Sequence, residues 1–188
     1  MSKTNGIISR SLKGALGKEI VFREWEGKTI VAKAPKSREG EPSDAQVQIQ
    51  EKFLLATKYA KAILTDQDPG LRDAYAAVLR PRQNIYSRAL EDFLSPPKIR
   101  SISTSAYDGT VGSKIAVRAL DDFRVASVSV EIRAANGSLL EKGNAEPSAN
   151  GIDWTYTATK VNIPTAGSKI MAMATDVPGN DGTKEVVL

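Results

Sequence analysis

Residues 125–143, VASVSVEIRAANGSLLEKG, alternate apolar and polar side chains from Ser127 to Ile132, break at Asn136-Gly137 and resume at Leu139. A strand turns successive side chains to opposite faces, so Val128, Val130 and Ile132 are expected to face a core and Ser127, Ser129 and Glu131 to face water. Asn-Gly readily supplies the positive backbone angles of a tight turn, which predicts a β-hairpin. The same punctuation recurs on both sides, in PPKIRSIS (96–103), SKIAVRA (113–119), IDWTYTAT (152–159), SKIMAMAT (168–175) and KEVVL (184–188). With the two strands of the hairpin these make seven short strand candidates, the spacing of a β-sandwich. Trp154, alternating with Tyr156, is expected at the centre of its core.

Toward the N-terminus the pattern changes at Ser95-Pro96-Pro97, where two prolines fix the chain as extended and stop a helix. Residues 19–33 alternate again around Glu26-Gly27, predicting a second hairpin. A Pro-flanked linker, Ala34 to Pro42, leads to Ser43, placed to cap a helix over Asp44–Leu64 with Ile49, Phe53, Ala56, Ala60 and Ile63 on its buried stripe. Asp68-Pro69 opens a second helix, with Leu71, Tyr75, Val78 and Leu79 as its stripe. Ile85, Ala89, Leu90, Phe93 and Leu94 mark a third. The expected fold is α+β in two domains: a flexible basic arm (1–18), a β-hairpin and helical anchoring domain (19–95), and a β-sandwich (96–188).

The C-terminal half resembles the disulfide-free immunoglobulin-like, or fibronectin type III-like, modules of bacteria and phages. The likeness covers Pro97 to Leu188. It rests on the proline-led first strand, Ala119-Leu120-Asp121-Asp122, Trp154 on a late strand, and Asp176-Val177-Pro178-Gly179-Asn180 before the last. It implies a module that displays, spaces or adheres. Residues 14–60, with Trp25-x-Gly27-Lys28, Ser43-Asp44-Ala45-Gln46 and Phe53, resemble small uncharacterised Bacteroidetes and phage proteins, a likeness that assigns no activity.

Composition narrows the chemistry. The 188 residues include no cysteine and no histidine, so disulfides, thiolate ligands, the commonest metal ligand and the commonest general base are all missing. Ser95-x-x-Lys98 holds the residue types of a serine–lysine pair, but Pro96 and Pro97 keep it extended, not one helical turn apart. Gly14, Gly17 and Gly27 lack the spacing of a phosphate loop. The carboxylates Glu91-Asp92, Asp121-Asp122, Asp108, Asp153 and Asp176 read as loop and turn residues. Asp121, Asp122 and Asp176 could also meet at one end of the sandwich around calcium, although the dense oxygen set of such a site is missing. No catalytic, metal or cofactor-binding residue is therefore assigned, and no cofactor is expected. No run of eighteen apolar residues predicts a membrane span, and the start lacks a secretory apolar stretch, so synthesis in the cytoplasm is expected.

Charge and apolar content then point to partners. Residues 1–40 carry nine Lys or Arg against four Glu, while residues 97–188 are balanced at ten each. Lys13, Lys18, Arg23, Lys28, Lys33, Lys36 and Arg38 could touch phosphates and Phe22 and Trp25 could stack on bases, yet Glu19, Glu24 and Glu26 interleave with them. The hairpin places Ile20, Phe22, Val31 and Lys33 on one face and Val21, Trp25, Ile30 and Ala32 on the other, more apolar surface than three short helices can cover. Ile8, Leu12, Leu16, Phe22, Trp25, Ile30 and Val31 are therefore the expected subunit interface. The sequence reads as a non-enzymatic structural protein that docks into a larger oligomeric particle, such as a phage virion, against other protein subunits, its own or a host's. The alternative is a nucleic-acid-associated accessory protein.

Overall fold

The computed structural model describes residues 2–4, 13–17, 19–35, 40–65 and 68–188. They fall into two compact units, residues 1–43 and 44–188. The helices thus group with the strands that follow them and not with the hairpin.

In the first unit, β1 (Ser2–Thr4), β2 (Gly14–Leu16), β3 (Ile20–Trp25) and β4 (Lys28–Lys33) form an antiparallel sheet in the order β1-β4-β3-β2. Trp25 pairs with Lys28 across a two-residue turn whose central residues, Glu26 and Gly27, both have positive φ (52° and 70°). That combination matches the right-handed twist of the flanking strands, at the cost of strain at the non-glycine Glu26. The stretch expected to be an arm instead carries two strands, β1 beside β4 and β2 beside β3. They meet the backbone N–H and C=O groups that a lone hairpin would leave open at both edges. Two of the expected interface residues, Ile8 and Leu12, lie outside the described residues.

The second unit begins with α1 (Asp44–Leu64), α2 (Pro69–Ala77) and α3 (Ile85–Leu94). Asp68 caps α2 by accepting from Leu71 N at 3.1 Å, with Pro69 in the first turn where its missing N–H costs nothing. Asn84 and Ser87 cap α3 reciprocally. Ala60, Ile63, Tyr75 and Ala89 form a small buried cluster among the three helices. Val78 and Leu79, expected on the stripe of α2, lie beyond its end at Ala77 and are exposed.

The strands that follow build two four-stranded antiparallel sheets. One is ordered β5 (Lys98–Ser103), β6 (Lys114–Leu120), β10 (Asp153–Thr157), β9 (Glu146–Pro147). The other is β12 (Asp181–Val187), β11 (Lys169–Asp176), β7 (Val125–Arg133), β8 (Leu139–Asn144). All seven expected strands are present, and β9 is a short addition. Ile115, Val117, Val128, Val130, Ile132, Trp154, Tyr156 and Ile170 share one buried cluster, so the inward positions read from the alternation do meet in a core. Asn136-Gly137 does turn the β7–β8 hairpin, within a three-residue loop closed by Ala134 N to Ser138 O at 2.9 Å, with Gly137 at φ 84°. Glu131, expected in water, is buried: Arg133 Nε reaches its carboxylate at 2.6 Å, and Lys142 Nζ lies 3.8 Å away.

The helices cap one end of the sandwich. Phe123, between β6 and β7, stacks on Tyr75 of α2 with centroids 4.2 Å apart. Asn180, between β11 and β12, donates its side-chain amide to Phe93 O at 3.1 Å.

Candidate docking surfaces and the buried carboxylate junction

The strand registers decide how the expected interface residues are arranged. Leu16 lies opposite Ile20 and Phe22 opposite Val31, which puts these four on one face of the N-terminal sheet. Trp25, opposite Lys28, and Ile30, opposite Arg23, lie on the other face with Val21 and Ala32. The expected surface is therefore two surfaces. Among the described residues of this unit only Thr29 is buried; Leu16 and Trp25 are each 64% exposed, and Ile20, Phe22, Ile30 and Val31 are half-covered. Among the described residues, then, this sheet gathers no buried apolar cluster.

The basic residues are divided in the same way. Arg23 and Lys28 share the face of Trp25, whereas Lys33 lies on the face of Phe22. Lys13 is paired with Glu24, whose carboxylate raises the pKa of its ammonium. Lys18, Lys36 and Arg38 lie outside the described residues.

A second apolar surface was not read from the sequence. Ile49 and Phe53, expected to be buried with Ala56, Ala60 and Ile63, are 70% and 50% exposed. The reason is length: Lys52 Nζ donates to Leu94 O, the last residue of α3, at 3.3 Å, so the helix that covers the stripe ends there. Val47, Leu54 and Leu55 are exposed on the same turns. The sequence does hold the signal, because α1 has 21 residues and α3 only ten, so α3 can cover only part of the stripe.

The acids separate by environment. Asp153 is held by Arg118 (2.7 Å and 3.0 Å) and Asn150, which bring its pKa down to about 2. Asp108 closes its loop by accepting from the backbone and hydroxyl of Thr110. Asp121 accepts from the backbone N–H groups of Phe123 and Arg124, and Asp176 from the backbone and side chain of Asn180. Asp108, Asp121 and Asp176 thus take the turn and loop roles expected of them, whereas Asp153 opens β10 and is ion-paired to Arg118 across the ladder with β6.

Asp92 departs from that expectation. It is fully buried where α3 meets the sandwich and accepts a 2.6 Å hydrogen bond from Tyr75, whose hydroxyl is also 2.8 Å from that of Tyr59. Burial pushes its pKa up to about 7; the nearby Asp121 and Asp176 carboxylates add to the rise, while the Tyr75 hydrogen bond and Arg88 oppose it. The second oxygen of Asp92, one oxygen of Asp121 and Arg88 Nε are buried without a hydrogen-bond partner. Helical phase contains this signal: Ile85, Ala89 and Asp92 are spaced by four and three, on one stripe. Asp121 and Asp176 do sit at one end of the sandwich, but among the described residues no group of three acids is placed to hold a metal ion.

A cleft of about 510 Å³ beside this junction has Lys98, Arg100, Asp121 and Asp122 among its lining residues. Ser95 also borders it. Its backbone is extended (φ −111°, ψ 93°), so Ser95 and Lys98 are not stacked on a helix. Among the described residues no helix is long and apolar enough to cross a membrane.

No protein-family model matches the chain, and no curated protein matches it. Solved structures similar to parts of it include CopC from Methylosinus trichosporium OB3b, at 18% identity over 47% of this chain and 87% of that one, with a TM-score of 0.35. A tetra-tandem repeat in the extending region of a large adhesion protein is 18% identical over 49% of this chain and 23% of that one, TM-score 0.33. The surface layer protein SbsC, domains 1–6, is 14% identical over 77% of this chain and 24% of that one, TM-score 0.32.

Proposed function

We propose that this protein is a non-enzymatic assembly subunit whose N-terminal sheet docks into a larger multi-subunit particle and whose β-sandwich is displayed from it. The observation that carries this reading is the sheet itself: four paired strands, one buried side chain among those described, and apolar groups on both faces. Such a surface becomes stable when another chain covers it. The displayed domain is read as an immunoglobulin-like module on its strand pattern and on Asp176-x-x-Gly179-Asn180, where Asp176 holds the loop through Asn180. A phage virion or a similar apparatus is the particle suggested by the likeness of residues 14–60 to small Bacteroidetes and phage proteins. Its partners in this reading are protein subunits.

Sedimentation of native particles tests this. The protein is expected in the particle fraction, and Phe22→Ser or Trp25→Ser should release it while leaving the melting of the sandwich unchanged. Recovery only as a 20.2 kDa monomer, with both variants behaving as the wild type, overturns the reading. The nucleic-acid alternative draws on Arg23, Trp25 and Lys28 sharing one face. It requires binding to DNA or RNA that falls steeply with salt and with Arg23→Gln, whereas an apolar subunit contact survives moderate salt.

A further inference from the structure

Two separate buried clusters meet where the helices cap the sandwich. The cluster among the helices takes a single residue, Phe123, from outside them, and the sandwich core takes none from the helices. The seam between the clusters is polar. Arg88, itself buried, donates to Asp122 O, Asn180 donates to Phe93 O, and Asp92 on α3 lies near Asp121 and Asp176 of the sandwich. The chain crosses this seam once, through Ser95 and Pro96: α3 ends at Leu94, and Pro97 is already held against β12, where a Cβ on Gly182 would overlap Pro97 O. Two cores joined by a short extended link and a polar seam are an arrangement in which one part opens before the other unfolds.

Asp92 decides how firmly this seam closes. Its side chain is inaccessible, and its one hydrogen bond comes from a neutral donor, Tyr75 Oη at 2.6 Å. Arg88, one turn earlier on the same helix, directs Nη1 to Glu91 and Nη2 to Asp122 O, and its Nε has no partner. Asp121 and Asp176 bring further negative charge from the sandwich side. The remaining charges nearby are engaged elsewhere: Glu91 accepts from Arg80 and Gln83, Lys52 of α1 donates to Leu94 O, and Arg124 lies over the Phe123 ring. An ionised Asp92 thus faces two other carboxylates without an ion pair of its own, whereas the neutral acid removes that repulsion. We propose that Asp92 is the latch of the helical cap: the neutral carboxyl keeps the helices seated on the sandwich, and its ionisation lets them lift away about Ser95 and Pro96 while the sandwich stays folded. The proton has a route outward, since Tyr75 Oη is 2.8 Å from Tyr59 Oη and Tyr59 is only half-buried. Opening uncovers Tyr75 and Phe123, so a rise in pH becomes an exposed aromatic surface. The latch does not depend on the assembly reading above.

In the closed cap Asp92 titrates at about 7, against 3.8 for an ordinary aspartate. Between those values the closed form holds a proton that the open form has released, so opening grows as pH rises and levels off above about 7. Hydrogen exchange of the full-length protein, followed by mass spectrometry from pH 5 to 8 with the intrinsic rate at each pH divided out, reads this directly. Peptides from α2 and α3 should lose protection about tenfold or more across that range, while peptides from β7 and β11 keep theirs. Asp92→Asn should flatten the dependence in the helical peptides. Tyr75→Phe keeps the ring on Phe123 and removes the hydrogen bond that favours the ionised acid, so it should move the loss of protection to higher pH. Equal loss in helices and strands, protection of α2 and α3 that does not change with pH, a dependence that survives Asp92→Asn, or a midpoint that Tyr75→Phe leaves unmoved or lowers overturns the inference.

Discussion

Asp92→Asn separates a structural acid from a titrating one. The carboxyl of Asp92 meets Tyr75 from α2, Arg88 on its own helix, Asp121 from the loop after β6 and Asp176 from the end of β11. Its pKa rises from 3.8 to about 7 in the folded protein, so between those values the folded chain holds a proton that the unfolded chain has released. The unfolded state then binds fewer protons, and stability falls as pH rises. The contribution is fully present below pH 4, is lost as pH passes up through about 7, and is constant above it. A shift of about three pH units corresponds to roughly 4 kcal/mol as an upper limit, and relaxation around the buried carboxyl reduces it to about 2 kcal/mol. Asparagine keeps an acceptor for Tyr75 and removes the charge. Asp92→Asn should therefore match or fall slightly below the wild type at pH 5 and exceed it at pH 8 by about 2 kcal/mol, or roughly 4–8 °C in Tm for a chain of this size. Asp176 shifts in the same direction and stays in both proteins, while Glu91, Asp108 and Asp153 are lowered and act only toward acid, so the difference between the two proteins isolates position 92. Thermal melts of both at half-unit pH steps from 5 to 8 provide the measurement. Parallel curves, or a wild type that gains stability relative to the variant as pH rises, would refute a proton held at Asp92.

Other outcomes follow from particular contacts. Gly109 has φ 84° and lies so close to Asn162 O that a Cβ would overlap it; Gly109→Ala should cost about 2–4 kcal/mol in urea unfolding. Ile132 is fully buried between the sheets, and Ile132→Ala should cost about 2–5 kcal/mol in the same assay. Glu26 strains the first hairpin at φ 52°, so Glu26→Gly should slow hydrogen exchange of the β3 and β4 amides, reflecting about 0.5–1 kcal/mol.

The sandwich was legible because strand period and turn chemistry agree: Val128, Val130 and Ile132 alternate inward, and Gly137 takes the left-handed conformation its turn requires. The bounds of α1 were legible for the same reason, with an apolar stripe between polar and Asp-rich breaks. What was not legible depended on neighbours. The periodicity of Ile49 and Phe53 marks a stripe but not how far α3 covers it, which takes the lengths of both helices together, and the charge of Glu131 cannot show that Arg133 and Lys142 close over it. Adjacency to Glu91 makes Asp92 read as one of a solvated pair, while helical phase places it on the buried stripe with Ile85 and Ala89. Strands β1 and β2 are too short, at three residues each, to carry an alternating pattern of their own.

Trp25 can report on docking by itself. The chain has two tryptophans, and Trp154→Phe removes the one in the core, leaving a single indole on the N-terminal sheet. Its fluorescence should be readily quenched by acrylamide in purified monomer, and shifted to the blue and protected in isolated particles. Equal quenching of Trp25 in monomer and in particles would contradict docking through this face of the sheet.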